Sequence, residues 1–467
     1  MGMSGNEQNL TPDVPAVPAT SVESPMPVWF RRATMIAGIF ALIIGLPVSI
    51  NLFCIVPLVL FNGSGSETAL YGVVSLTIGL LTVGVGIAAF SHGNRSLQNK
   101  PSRSLQFPFH PLLLIGMFLL LLALGIFIGN FDNAIGIIFP PIFIACAILP
   151  PLWAVTWMIP RSPALEGNTS EDEKVQQETL PALSWRRGLL SFAGGATVSV
   201  FIAIVLEILL PAIVLSLVFN LADTLSDQVS DLFRALSNEN IATALTNPSF
   251  IYLFVQIAVI APLAEELAKP LITLPMLRHL GKQESFWVGA LAGAGFAALE
   301  NIIYAASGFG IWAGILLVRA LGGALHPLGS GLVAQGWHGV LRGEKNAGTN
   351  WWKRFGIAVA VHAAWNGGSL LVITLGGARF FGNLPPEIDL LGLSAAGTTL
   401  AFLLILGITA LWIGRSYGHN RPMLAAAEEG SHDSEFILSD RAVALWAAAC
   451  LIALVPAGIA GLKIWLR

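Results

Sequence analysis

Long apolar runs separated by short polar connections dominate the chain. Eleven runs reach the roughly 20 apolar residues that a helix needs to cross a hydrocarbon core of about 30 Å. They are 35–61, 69–90, 111–129, 134–158, 188–218, 249–277, 285–306, 309–333, 355–376, 391–414 and 442–462. Each predicts a transmembrane helix, and several are long enough to tilt or to run on beyond the membrane. The pattern predicts an all-α, polytopic helical bundle.

The connections order those spans. Counted from the N-terminus, the basic residues of alternate non-membrane segments sum to 18 and 4. Lys and Arg accumulate on the cytoplasmic side, so the asymmetry predicts a cytoplasmic N-terminus, eleven crossings and an outer C-terminus. The remaining two basic residues, Lys269 and Arg319, fall inside spans.

Residues 1–30 are read as a disordered tail, because their start is polar and rich in Pro, Ser and Glu and lacks the basic-then-apolar order of a cleavable signal. Residues 31–158 carry four apolar flanking helices, and 159–187 a polar cytoplasmic loop. Residues 188–248 carry one span and an outer segment. In that segment Asp223, Asp227 and Asp231 alternate with Leu221, Leu225, Val229 and Leu232, as in a short amphipathic surface helix. Residues 249–376 form a four-helix core, and 377–467 carry two further spans.

Composition excludes a soluble protein. The chain is 55% hydrophobic and 11% charged, against about a quarter charged in soluble domains. Lipid must therefore be a partner over much of the surface. A net charge of −3 without a basic patch gives no ground for nucleic-acid binding. Cys54, Cys146 and Cys450 all lie in apolar stretches and read as packing residues, not as a disulfide or metal framework.

A charge in hydrocarbon costs a few kcal/mol or more, so each needs a reason. The intramembrane ionisable residues are Glu207, Glu265, Glu266, Lys269, Glu300, Arg319, His326 and His362, all in spans five to nine. At about 1.5 Å rise per residue, spans six to nine place their acids and imidazoles roughly 12–23 Å deep. Such groups need a shared, partly wet cavity.

In span six, Lys269 follows Glu265 by four and Glu266 by three, so its ammonium reaches both from one face. Two adjacent carboxylates in a low dielectric do not both ionise easily, which leaves a base beside an acid. Pro270 cannot donate to the Glu266 carbonyl and should bend the helix. A structural ion pair is the plainer alternative.

Span seven sets Glu300 and Asn301 after a small-residue face with Gly289 and Gly293, which favours close helix approach. Glu300 could act directly or could pair with Arg319 or His326. Arg319 and His326, seven apart in span eight, share a face. In span nine, His362 and Asn366 are one turn apart and could hold a water or stabilise an oxyanion. Glu207 has no local partner and takes no role. His338 reads as an ordinary residue beyond the span.

The set Glu265-Glu266-x-x-Lys269, Phe296-x-x-x-Glu300-Asn301, His326 and His362-x-x-x-Asn366 resembles the PrsW family of intramembrane proteases. That family is similar to the CAAX- and bacteriocin-processing membrane proteases. The motifs cover 249–376 and leave spans one to five and ten to eleven outside. Lys269 stands where the CAAX type has Arg one position later, and Glu300 where it has His; both fit the PrsW pattern.

The resemblance implies an endopeptidase cutting a membrane-bound substrate, such as a single-span anti-sigma factor. It implies Glu265, Glu266, His326, His362 and Asn366 as catalytic residues. Lys269, Glu300, Asn301 and Arg319 would support them. On residue chemistry, Glu266 is read as the base that takes a proton from water. No HExxH is present, and no single helix supplies two His ligands. Metal-free hydrolysis is therefore preferred, with zinc on His326, His362 and Glu300 as the alternative. The rival classes are a proton-coupled transporter or channel, which would use the same polar groups, and a non-catalytic scaffold.

Overall fold

The computed structural model describes residues 27–61, 66–98, 110–128, 139–160, 183–218, 248–278, 280–307, 311–381, 386–419 and 440–465, with Leu105 and Phe107. The expected tail, the interior of the 159–187 loop, the outer segment with its three aspartates, and the surroundings of Cys54 lie outside the described residues.

Among the described residues the architecture is helical throughout, as expected. Four flanking helices come first: α1 (Val28–Phe61), α2 (Ser66–Leu97), α3 (Pro111–Ile128) and α4 (Phe139–Met158). The fifth span is α5 (Trp185–Gly194), a π turn (Gly195–Ser199) and α6 (Val200–Val218). The sixth is α7 (Pro248–Val255), a second π turn (Gln256–Ile260), α8 (Ala261–Ala268), a 3₁₀ turn (Leu271–Thr273) and α9 (Leu274–Leu277). Then follow α10 (Lys282–Ser307), α11 (Trp312–Leu321), α12 (Leu325–Leu341), α13 (Ala347–Phe381), α14 (Pro386–His419) and α15 (Asp440–Trp465).

Nine described helical segments are long and apolar enough to cross a membrane, and the bent pair α11–α12 makes a tenth. The eleventh expected run, 442–462, coincides with α15, of which Arg441–Pro456 counts only as a shorter apolar helix. Span eight, expected as one helix, is broken at Gly322–Ala324 and bent by 43°. The Trp365 ring lies against Gly322, where a β-carbon would come within 2.5 Å of it.

Contacts between helix ends follow the expected up-and-down order. Arg31 Nη1 at the start of α1 donates to Ser96 O at the end of α2 (2.8 Å). Trp287 Nε1 near the start of α10 donates to Gly418 O at the end of α14 (3.1 Å). Arg415 on α14 reaches Trp157 O at the end of α4 (3.4 Å), and His338 on α12 meets Leu280 O before α10 (3.0 Å). At these ends Arg187 pairs with Glu284 and Lys282 with Glu344, each at 3.8 Å, and His338 Nδ1 lies 3.6 Å from Glu344 Oε1. His338 is engaged there and stands apart from the acidic cluster, as expected.

Several of the flanking helices turn an apolar row outward. On α3, Leu114, Phe118 and Leu122 are buried, whereas Leu112, Leu113, Leu119 and Leu120 are exposed. An exposed leucine row of this kind is a lipid-facing surface. Helix α10 is the opposite case and is buried along most of its length.

Its glycines explain that position. A β-carbon on Gly289 or Gly293 would run into Ser330 O and His326 O of α12, and one on Gly295 into Phe192 O of α5. Small residues thus let α10 lie against two helices at once. Gly293→Val should cost about 1–3 kcal/mol through overpacking, read as a lowered melting point of the purified protein. Cleavage should fall with it, because the atom pushed away is the carbonyl of His326.

Candidate active site

The sixth span is built to deliver Glu265 and Glu266. A π turn leads into α8, and Pro270 ends it, as expected. The last α-helical bond runs from Lys269 N to Glu265 O (2.8 Å), and a 3₁₀ turn follows with Thr273 Oγ1 donating to Pro270 O (2.6 Å). Ser199 Oγ, from the other π turn, donates to Lys269 O (3.0 Å). π turns occur often at functional sites, where they re-aim side chains.

The expected pairing of Lys269 with both glutamates is present. Its Nζ lies 2.9 Å from Glu265 Oε2 and 2.7 Å from Glu266 Oε1, with no side-chain exposure, and 4.6 Å from the Phe296 ring centre. Removing one partner of a buried ion pair costs about 3–5 kcal/mol because the other charge stays buried. Lys269→Met should therefore destabilise by about that amount, checked by thermal unfolding in detergent. Glu266→Gln, which leaves Lys269 beside Glu265, should cost clearly less.

The two histidines come from different helices and meet here, with ring centres 4.8 Å apart. His362 Nδ1 bonds Glu266 Oε1 at 2.9 Å, and its Nε2 faces Glu265 Oε2 at 3.7 Å. His326 Nε2 faces Glu300 Oε2 at 3.3 Å, and its Nδ1 faces Glu265 Oε2 at 3.9 Å. Each ring thus has one nitrogen held by an outer carboxylate and the other turned toward Glu265.

Those inward atoms form a donor set. One atom each from Glu265, His326 and His362 lie within 4.8 Å of one another, all buried. His326 Nδ1 and His362 Nε2 are buried and make no hydrogen bond among the described residues. Glu265 Oε2 likewise makes no hydrogen bond among the described residues, with the Lys269 ammonium 2.9 Å away as its ion-pair partner. Two imidazole nitrogens and a carboxylate oxygen are the donors that zinc takes in catalytic sites, and a carboxylate behind each metal-binding imidazole is the usual outer support. The residues fit such an ion. The carboxylate of this trio is Glu265, where the sequence reading placed Glu300. Glu300 is instead engaged by Arg319 and by the far side of His326.

Arg319 holds that outer carboxylate. Its Nη2 lies 2.7 Å from Glu300 Oε2, its Nε donates to Asn301 Oδ1, and its guanidinium sits 4.7 Å from the Tyr304 ring centre. Asn301 Nδ2 donates to Ala147 O of α4 (2.9 Å). That carbonyl is available because Pro151, four residues on, has no N–H to offer it. Although the break in span eight puts Arg319 and His326 on separate helices, both still reach Glu300.

Asn366 does not join the cluster through its donor. Its Nδ2 donates to Ile257 O inside the second π turn (3.1 Å). There Ala261 N reaches back to Gln256 O, and Pro262 has no N–H, so Ile257 O is left for the side chain. The structure thus shows Asn366 bracing the sixth span, where the sequence reading gave it an oxyanion.

Two further residues escaped the sequence reading. Glu207 on α6 lies within electrostatic reach of Glu265, Glu300 and Lys269. Its backbone oxygen, freed by Pro211, accepts from Gln256 Nε2 (3.2 Å). Its membership of the ionisable set in spans five to nine was the available signal. Gly329, one turn beyond His326, lies against the Glu266 carboxylate: a β-carbon there would come within 2.6 Å of Glu266 Oε2. That oxygen is buried and makes no hydrogen bond among the described residues.

Residues 183–385 match the family model described as PrsW family intramembrane metalloprotease. No curated protein and no solved structure matches the chain. The matched stretch begins well before residue 249, so the fifth span lies inside the resemblance, contrary to the narrower reading from the motifs. The bond from Ser199 to Lys269 gives the physical reason: that span is part of the frame of the site. Buried glutamates and histidines on adjoining apolar helices, within a stretch that matches this family, make residues 183–385 a PrsW-family intramembrane protease domain and the chain a multi-pass membrane peptidase.

Proposed function

We propose that Glu265, His326 and His362 hold a zinc ion and that Glu266 is the general base for peptide-bond hydrolysis. The observation that carries the proposal is the pair of imidazoles, each braced from outside by its own carboxylate and each offering its remaining nitrogen toward Glu265. This revises the metal-free preference, since buried nitrogens without hydrogen bonds are costly unless something occupies them.

A zinc ion so held would act as a Lewis acid and lower the pKa of a bound water. The residues do the rest. Glu266 is anchored through Oε1 by Lys269 and His362, which leaves Oε2 to take a proton from the attacking water. The water oxygen bonds to the carbonyl carbon, the C–N bond breaks, and the same carboxyl returns the proton to the departing amine. Lys269 balances the paired glutamates. Glu300, fixed by Arg319, keeps His326 Nε2 protonated so that Nδ1 faces inward.

The substrate is a membrane protein, and a single-span regulatory protein of the anti-sigma type suits the family resemblance. The test is reconstitution of the purified protein with a tethered single-span reporter. Cleavage by wild type, lost in Glu265→Gln with folding retained, is the expected result. Proton or solute flux with an intact reporter would overturn the proposal in favour of a transporter.

A further inference from the structure

Gly329 sits inside α12, one turn after His326. Glycine weakens a helix interior, because it loses the most backbone freedom on folding and brings no side chain to pack. Its use here needs a reason from packing, and its neighbours give one. A β-carbon at this position would lie 2.6 Å from Glu266 Oε2, 3.1 Å from Glu266 Cδ and 3.4 Å from Ala358 Cβ of α13. The first atoms it would meet belong to the carboxyl group proposed as the base.

That group cannot swing aside. Its Oε1 is held by Lys269 Nζ at 2.7 Å and by His362 Nδ1 at 2.9 Å. Lys269 has no exposure and Glu266 is 1% exposed. Non-bonded atoms rest about 3.5 Å apart, so a methyl at 329 would move Oε2 by roughly 1 Å or pull Oε1 off its anchors. Ala358 is buried and closes the other side. A misplacement of about 1 Å at a reacting group can cost on the order of 100-fold in rate.

We infer that Gly329 is a positioning residue for Glu266. Its bare α-carbon leaves Oε2 the place from which it reaches the attacking water while Oε1 stays on both anchors. The inference rests on Glu266 acting as the base, and its two halves, contact and role, are tested separately.

Thermal unfolding of the full-length protein in detergent tests the contact without any substrate. Gly329→Ala should lower the melting point of wild type. In Glu266→Ala, where no carboxylate remains to be struck, the same change should raise it, because alanine favours the helix over glycine. An equal change in both backgrounds, of either sign, would overturn the inference. Should Gly329→Ala alone not fold, the double variant should; a double variant that unfolds where Glu266→Ala folds would overturn it too.

Cleavage of the tethered reporter tests the role. Gly329→Ala should lower kcat on the order of 100-fold with KM unchanged, and at saturating zinc it should still carry the ion. In Glu266→Gln, which has already lost the base, it should lower kcat by less than about threefold, since residues acting as one unit are not additive. A full further loss in Glu266→Gln would make Gly329 a structural residue and overturn the inference, as would a wild-type kcat in Gly329→Ala. Wild-type cleavage by Glu266→Gln alone is a different result: it would overturn the base assignment and the inference with it.

Discussion

Glu266→Gln should slow cleavage of a tethered reporter by about 10²–10⁴-fold, the range attached to losing a general base. The amide keeps the shape of the carboxylate and can still meet Lys269 and His362. It cannot take a proton from water. The variant should therefore remain folded, and at saturating zinc it should still carry the ion, although Glu266 also supports His362 from outside and its loss should weaken metal affinity about 10–100-fold. Comparable cleavage by Glu266→Gln and wild type would remove Glu266 from the chemistry.

The second large effect concerns the metal itself. Purified wild type should carry about one zinc per chain, and His326→Ala or His362→Ala should carry little, because each removes one of the protein donors of a catalytic site. Zinc content by elemental analysis should fall in parallel with cleavage, and a chelator should abolish activity that added zinc restores. Glu300→Gln belongs to a milder class. It removes only the outer support of His326, where a loss of about 10–100-fold in metal affinity is usual. Full activity in protein stripped of metal would refute the donor assignment while leaving the family match of residues 183–385 untouched. Together with Glu266→Gln, these variants separate residues that hold an ion from the residue that moves a proton.

Much of this was legible in the chain. The apolar runs gave the helices because a residue row without charge can rest only against lipid or other apolar rows. The lysine three and four residues after adjacent glutamates gave a buried ion pair from helical spacing alone. Pairing of Glu300 with Arg319 or His326 was one of two alternatives that the sequence left open, and the structure shows contacts to both. Periodicity could not show where helices break. The bend at Gly322–Ala324 lies where the Trp365 ring packs against Gly322, a contact between segments far apart in the chain. It also could not decide which carboxylate turns inward, since Glu265 and Glu300 sit at similar depth and only the packing of four helices distinguishes them.

One class of detail was present in the sequence but easy to pass over. A proline inside a helix leaves the carbonyl four residues earlier without its usual donor. Pro151 does this to Ala147, and Pro211 to Glu207. Each freed oxygen is taken by a side chain amide, Asn301 in the first case and Gln256 in the second. These amide–proline pairs link α4 to α10 and α6 to the second π turn. Asn366 and Ile257 O extend the same logic to the π turn before Pro262.

The seclusion of the atoms proposed to do the chemistry has a consequence for whatever is cut. Glu265, Glu266, His326 and His362 are each no more than 5% exposed, so a scissile bond gains entry only when neighbouring rods part. The victim must also surrender its own coil, because an amide locked in a spiral presents no bare carbon to attack. Turnover then depends on how readily a passing segment frays, and residues that loosen it become determinants of selection as much as any side chain at the cut.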